Sequence, residues 1–322
     1  MYTVRNKIAS FFRFMPHIRG KFHLGKILGH FLSSYDKDQE CITTIRMKDG
    51  SLIQLDVRSK TEQLAYWTGN YDGSIISKLS SCLQENCVVF DVGANIGFYS
   101  VALGLRAKEL NGVVYAFEPV KNNFDRLTTN ILLNGLESVV LARDIALGDQ
   151  EGFIEMAMAS DNRSLTGNAV MVKGEISRDF FKVDTENKSS LLKLNTINNE
   201  ARLTKLDTFM EEEQIKDCHL IKIDIEGAEV MFLKGATSFL SKHRPIIYGE
   251  FNNYFLTRFG FSFLDVVNIV KPLGYRFFMQ TTREGDFIEV FHPKADTENM
   301  LLVPVEISDS VLTNLGASGL SS

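Results

Sequence analysis

The sequence predicts an α/β fold built on a mostly parallel sheet. Two observations carry that expectation. From Val88 onward, short apolar runs alternate with segments whose apolar residues recur at helical spacing. Three of the runs also end on an acid, at Asp91, Glu118 and Asp224. Ligands bind an open parallel sheet beyond the carboxyl ends of its strands, so these three carboxylates are expected to share one functional edge.

The chain has 322 residues, room for one α/β domain with a smaller attachment, and its 44% hydrophobic and 23% charged content asks for a buried core. A net charge of −5 argues against nucleic acid as a partner, because phosphate binding needs a concentrated basic surface. Residues 1–34 depart from that average. They carry Arg5, Lys7, Arg13, Arg19, Lys21 and Lys26, with His17, His23 and His30 and no Asp or Glu. This segment reads as a basic helical lobe packed on the core, the alternatives being a surface for an anionic membrane or substrate and a solvated leader. Arg13 and Pro16 break the apolar run near Phe11, so no secretory signal is read, and no stretch has the roughly 18 apolar residues of a membrane span. A cytoplasmic protein without a transmembrane segment is the expectation. Cys41, Cys82, Cys87 and Cys218 form no CxxC pair and have no histidine cluster, so they read as small buried thiols rather than zinc ligands.

Cys41 to Val57 alternates like a β-hairpin about Lys48-Asp49-Gly50. Thr61 to Leu83 is expected to be largely helical. Val88-Val89-Phe90 is a buried strand, Phe98 to Arg106 a helix, and Val113 to Phe117 the next strand. Pro119 then suits a helix start, followed by an apolar face of Phe124, Leu127, Ile131 and Leu132. Val139-Val140-Leu141 begins a third strand. Phe153 to Met158 alternates like an edge strand in a β-rich excursion with exposed loops. The α/β rhythm resumes with a helix from Thr208 to Glu213, the strand Leu220 to Asp224, one helix from Glu229 to Leu240, and the strand Ile246 to Tyr248. A helix from Phe263 to Val270 and a strand pair, Tyr275 to Met279 with Asp286 to Phe291, close the pattern. The resulting division is an N-terminal helical and hairpin extension (1–84), a core (85–295) with an irregular insertion near 158–203, and a C-terminal tail (296–322).

The first acidic strand end opens the run Asp91-Val92-Gly93-Ala94-Asn95-Ile96-Gly97. Gly93 and Gly97 let the backbone turn tightly and a ligand approach, and the free amides of the following helix suit an anionic group. Asn95 stands where a dinucleotide loop would carry its middle glycine. Glu118 ends the next strand, where a carboxylate can accept ribose hydroxyls and repel a 2′-phosphate. Together these residues indicate an adenosine cofactor, and both NAD and S-adenosylmethionine satisfy them.

The sequence resembles the FkbM family of class I S-adenosylmethionine-dependent methyltransferases. The likeness rests on Phe90 to Ser100, Ala116-Phe117-Glu118-Pro119, Ala146-Leu147-Gly148-Asp149, Thr204-Lys205-Leu206-Asp207, and the run Ile221-Lys222-Ile223-Asp224-Ile225-Glu226-Gly227-Ala228-Glu229. It spans roughly Val88 to Tyr248, and the last segment is the most specific. The resemblance implies a doubly wound, seven-stranded Rossmann-like sheet and methyl transfer to a hydroxyl of a sugar, glycoside or secondary metabolite. It implies that Asp91, Gly93, Asn95 and Gly97 surround the methionine part of S-adenosylmethionine, that Glu118 holds the ribose, and that Asp144 lies near the adenine.

Methyl transfer to oxygen needs a positioned acceptor and a group to take its proton. Asp224 and Glu226 are the catalytic candidates, with Glu229 read as capping its helix and orienting the loop. Glu250, after the strand Ile246 to Tyr248, is a substrate candidate, and with Asp224 it would offer oxygen ligands to a divalent metal, which is chemically reasonable but not expected. His219 and His243 precede strands away from this edge and read as structural. Tyr66, Trp67, Tyr71 and Asp72 are candidates for a lid over a sugar acceptor, helix packing being the alternative. The competing functions are an NAD-dependent oxidoreductase, for which a G-x-G-x-x-G loop is missing, and a non-catalytic module binding an adenosine ligand or glycan.

Overall fold

The computed structural model describes residues 2–14, 42–158, 169–172, 195–282, 285–291 and 299–318. Strands β1 (Ile42–Arg46) and β2 (Leu52–Asp56) form the expected antiparallel hairpin. Strands β3 (Val88–Val92), β4 (Val113–Phe117) and β5 (Val140–Arg143) pair in parallel. Next come β6 (Ile145–Leu147), β7 (Gly152–Met158), β8 (Ala169–Val172) and β9 (Asn195–Thr204), which make a separate four-stranded sheet in the order β6-β9-β7-β8. The chain then returns to the main sheet with β10 (Leu220–Ile223), parallel to β3, and β11 (Ile246–Glu250), parallel to β10. Strands β12 (Tyr275–Gln280), β13 (Phe287–Glu289), β14 (Asn299–Pro304) and β15 (Ala317–Ser318) complete the order β15-β13-β12-β14-β11-β10-β3-β4-β5.

Short apolar runs become the central strands because both of their faces are covered. Val89 and Leu220 enter one core, with the helices Gly73–Ser81 and Phe98–Glu109. Phe90, Val92, Ile221 and Ile223 enter the other, with the helices Glu229–Gly235 and Phe263–Val270. Helices therefore wind both faces of the sheet. The strands after β3 step outward to β5, and β10 then starts the opposite half, so the order reverses between β3 and β10.

Three expectations are corrected. The main sheet has nine strands rather than seven, because the short strands β13 and β15 extend the β12 edge. Residues 299–318, within the segment read as a C-terminal tail, belong to the main sheet and its flank. Asn299–Pro304 is inserted antiparallel between β11 and β12, and its Met300, Leu301, Leu302 and Val303 are fully buried. A continuous apolar run of this kind needs cover on both sides. The single helix from Glu229 to Leu240 is two helices, Glu229–Gly235 and Thr237–His243, broken where the Gly148 carbonyl presses against Gly235. Of the excursion at 158–203, residues 159–168 and 173–194 lie outside the described residues, and its described ends are β8 and β9.

The described parts of the N-terminal extension are locked to the core. In the hairpin, the Leu52 and Gln54 amides donate to the side chains of Asn134 and Asn130, at 2.8 and 2.7 Å. Arg126, in the helix Lys121–Leu133, makes a bidentate buried pair with Glu62 at 2.9 and 2.6 Å. The helix Tyr2–Phe14 docks through Arg13, which donates to the Tyr66 carbonyl at 2.7 Å. The basic residues Arg19, Lys21 and Lys26 and the histidines His17, His23 and His30 lie outside the described residues, as does Cys41. Among the described residues, no helix is long and apolar enough to cross a membrane.

Leu301 faces Tyr248 on one neighbour and Phe278 on the other. Leu301→Ala is expected to lower unfolding free energy by about 2–5 kcal/mol, the range for a buried leucine. Denaturant unfolding measures this, and a loss under about 0.5 kcal/mol, as at a surface position, would return the segment to the status of a tail.

Candidate active site

A cavity of about 1100 Å³, open mouth included, lies at the carboxyl ends of β3, β4 and β10. It sits beside the point where strand order reverses, as expected for an open α/β sheet. Its floor begins with the loop after β3. Gly93 and Ala94 donate their amides to the Phe117 carbonyl, both at 3.0 Å, which folds the loop across β4. Gly93 has φ +80°, and a Cβ there would run into the Asp224 carbonyl. Asn95, also left-handed at φ 51°, is exposed and lines the cavity.

Asp91 and Gly97 stand behind this floor rather than in it. Asp91 is fully buried, accepts from Ser100 Oγ at 2.5 Å, and lies 3.4 Å from Lys222 Nζ, its register partner on β10. Gly97 caps the helix Phe98–Glu109 and faces Leu127. Their roles are to anchor and turn the loop. Lys222, which was not singled out in the sequence, does line the cavity. It is 5% exposed, donates to the Gly93 carbonyl at 3.0 Å, and approaches Asp224 at 3.9 Å. Burial alone would lower its pKa, but Asp91 and Asp224 outweigh that and raise it. The signal was present: a lysine inside a fully buried strand must be paired.

Glu118 forms the next wall. Its Oε2 accepts from the Asn95 amide at 2.8 Å and its Oε1 from the Val120 amide at 3.0 Å. Burial pushes its carboxyl up to about 7 even against these hydrogen bonds. Beyond it the cavity is apolar, with Phe117, Pro119, Ile145, Leu147 and Met156. Asp144 is exposed where the chain leaves β5 for β6 and does not line the cavity. Ile145, Ala146 and Leu147 form the wall there instead.

The opposite wall is acidic. Asp224 and Glu226 both line it, and Glu226 is held left-handed at φ 55°. Burial, then Asp224, Glu250 and Glu229, push the Glu226 carboxyl up to about 8. Glu229 has the loop-orienting role expected of it: its Oε1 accepts from the Ile225 and Gly227 amides at 3.0 and 3.2 Å, and burial raises it to about 7. Glu250 ends β11 close enough to raise Glu226, yet it does not line the cavity. Among the described residues no group of three or more His, Cys, Asp or Glu is arranged to hold a metal ion.

The aromatic candidates divide. Tyr71 lines the cavity and stacks on Phe98 with ring centroids 4.1 Å apart. Tyr66 and Trp67 are corrected to packing residues: both are buried away from the cavity, Tyr66 donating to Asn6 at 2.7 Å and Trp67 meeting Phe12 edge to face. Asp72 lies outside the cavity lining and accepts from Tyr99, whose ring does line it, at 3.1 Å. Ser59, Thr61 and Glu62 of the extension also border the cavity, which no motif indicated. His219 accepts from the Val88 amide at 3.1 Å and His243 stacks on Phe239, so both are structural.

Residues 91–277 match the family model described as the methyltransferase FkbM domain. Methyltransferase 1 of Beauveria bassiana is 25% identical over 152 residues, covering 47% of this chain and 59% of that protein. The hexuronic acid methyltransferase AglP of Haloferax volcanii is 28% identical over 173 residues, covering 54% of this chain and 59% of its own length. The chain thus spans about three fifths of these relatives, by the 59% covered in each. Among solved structures, methyltransferase FkbM from Methylobacillus flagellatus is similar over 75% of this chain and 52% of its own, at 16% identity and a TM-score of 0.42.

Glu118, Glu226 and Glu229 keep protons in the folded chain, up to about 7, 8 and 7, that the unfolded chain releases near its ordinary 4.5. Their contribution to stability is complete below the unfolded value and lost as pH rises through the folded ones. The ligand-free protein is therefore expected to melt at falling temperature from pH 5 to 8, with a shallower fall in Glu118→Gln. Calorimetry across that range checks it, and a melting temperature that rises with pH contradicts it.

Proposed function

The chain belongs to the FkbM methyltransferase family, and on that premise we propose that it transfers a methyl group from S-adenosylmethionine to a hydroxyl of a sugar, glycoside or secondary metabolite. The observation that carries this reading is one cavity bounded by Glu118 on one side and by Asp224 and Glu226 on the other. When bound, S-adenosylmethionine supplies an electrophilic methyl group on a sulfonium.

The residues present fit that cofactor by their chemistry. Glu118 suits the ribose hydroxyls, and the apolar wall of Phe117, Pro119, Ile145 and Leu147 suits the adenine. The acids Asp224 and Glu226 suit the cationic end by opposite charge, and the crowded, partly buried Glu226 gains by ionising beside it. Asp91 and Gly97 act one layer back, fixing the loop.

For the acceptor, Tyr71 and Tyr99 offer aromatic surface beside Asp224 and Glu226. Asp224 orients the hydroxyl. Glu226, ionised above about pH 8 in the ligand-free protein, accepts its proton. The name of the Haloferax relative, a hexuronic acid methyltransferase, supports a sugar as the acceptor class.

Calorimetric titration with S-adenosylmethionine, S-adenosylhomocysteine and NAD tests the cofactor. Preference for NAD would make the protein an oxidoreductase, and cofactor binding without transfer to a panel of sugars and glycosides would make it a binding module. Glu118→Ala is expected to weaken S-adenosylhomocysteine binding about ten- to hundred-fold, the worth of hydrogen bonds to a charged group. Asp224→Asn should leave that affinity within about threefold while turnover falls about a hundred-fold. In the wild type kcat/KM for S-adenosylmethionine, which reports the ligand-free protein, should rise with pH toward about 8 as Glu226 loses its proton, and Glu226→Gln should remove that rise. Equal, negligible effects of the Glu118 and Asp224 changes reject both roles.

A further inference from the structure

The number of hydrogen bonds Glu118 can still accept limits what it can do for a ribose. An ionised carboxylate has about four lone-pair positions. Oε1 already accepts from the Val120 amide at 3.0 Å and from Asn123 Nδ2 at 3.4 Å, and Oε2 accepts from the Asn95 amide at 2.8 Å. One position remains, on Oε2, whereas a ribose presents two adjacent hydroxyls.

Asn123 stands next to it. Asn123 lines the cavity and is 1% exposed. Its Oδ1 has no hydrogen-bond partner among the described residues and no access to solvent. A buried carbonyl in that state is costly to leave unmet. The last torsion of an asparagine is broad, so its carboxamide can turn Oδ1 toward the cavity while Nδ2 stays against Glu118 Oε1.

We propose that Asn123 is a second ribose-reading residue, accepting the hydroxyl for which Glu118 has no position left. This rests on the cofactor reading above. It makes the recognition of the diol a shared task of two residues on consecutive turns of chain, with Glu118 taking one hydroxyl on Oε2 and Asn123 taking the other on Oδ1. The side chain also holds Glu118 in place through Nδ2, so the test must separate reading from support.

Calorimetric titration of the full chain with S-adenosylhomocysteine and its 2′-deoxy and 3′-deoxy forms makes that separation. Asn123→Ala is expected to bind S-adenosylhomocysteine about ten-fold more weakly than the wild type. With one of the two deoxy ligands, wild type and variant should bind alike within about twofold, because the hydroxyl that Asn123 reads is gone. With the other, the ten-fold gap should persist. A variant that binds S-adenosylhomocysteine as the wild type does overturns the inference, even if it melts earlier. So does a ten-fold gap with both deoxy ligands, which is the mark of support alone. Should the variant fail to fold, the wild-type Asn123 carboxamide resonances decide. They are expected to shift on adding S-adenosylhomocysteine and to shift less with one deoxy form, and equal shifts with all three ligands overturn the inference. Wild-type protein that binds no S-adenosylhomocysteine overturns the cofactor reading and this inference with it, whereas wild-type binding with an indifferent variant overturns the inference alone.

Discussion

An ammonium buried at the carboxyl ends of the two central strands must be compensated where it stands, and Lys222 imposes that condition on the whole site. Its register partner is Asp91, its hydrogen-bond acceptor is the Gly93 carbonyl, and Asp224 lies at 3.9 Å. Removing a charge from water is favourable only with close partners, so the loop after β3 and the end of β10 are drawn to one point. Gly93 can come that close to the Asp224 carbonyl because it lacks a Cβ. The same lysine takes Asp91 out of the cavity. The acid that looked like a ligand contact in the sequence is spent on the interior, and its neighbours Gly93, Ala94 and Asn95 border the cavity.

Once Lys222 is matched, the cavity carries more acid than base. Glu118, Glu226 and Glu229 all hold protons well above the ordinary carboxyl range, with burial as the leading cause in each case. On the cofactor reading proposed above, a cationic ligand changes that balance, because a positive charge near Glu226 favours its ionised form. Cofactor binding and proton release are linked on that reading. The left-handed backbone at Glu226 fits the same picture: a non-glycine residue pays for that conformation, and such strain is held where the surroundings fix the side chain's direction.

Much of this was legible in the sequence, and what was not has physical reasons. The parallel strands were readable because a strand covered on both faces is apolar almost throughout, as in Val88 to Phe90 and, Lys222 apart, Leu220 to Ile223. The place of Glu118, Asp224 and Glu226 around the cavity was readable because it opens at the carboxyl ends of the strands. Asn299–Pro304 was missed although it is equally apolar, since antiparallel insertion from the chain's end breaks the α/β alternation on which the reading relied. Tyr66 and Trp67 were misread because a helix's buried face and a ligand-facing surface use the same residue types, and only the partner distinguishes them. Here the partners are Asn6 and Phe12. Lys222 and Asn123 were passed over for the opposite reason: each is one polar residue within a motif read for its neighbours.

The walls of the cavity also differ in origin. Glu118, Lys222, Asp224 and Glu226 fall within residues 91–277, the stretch matched to the family, whereas Ser59, Thr61, Glu62 and Tyr71 precede it. Two of those earlier residues are tied to the core. Glu62 is pinned by Arg126 and by the Asp56 amide at 2.6 Å, and Tyr71 is stacked on Phe98. In this chain Tyr71 stands at that boundary: its ring packs on the first helix of the family segment and borders the same space as Asp224 and Glu226.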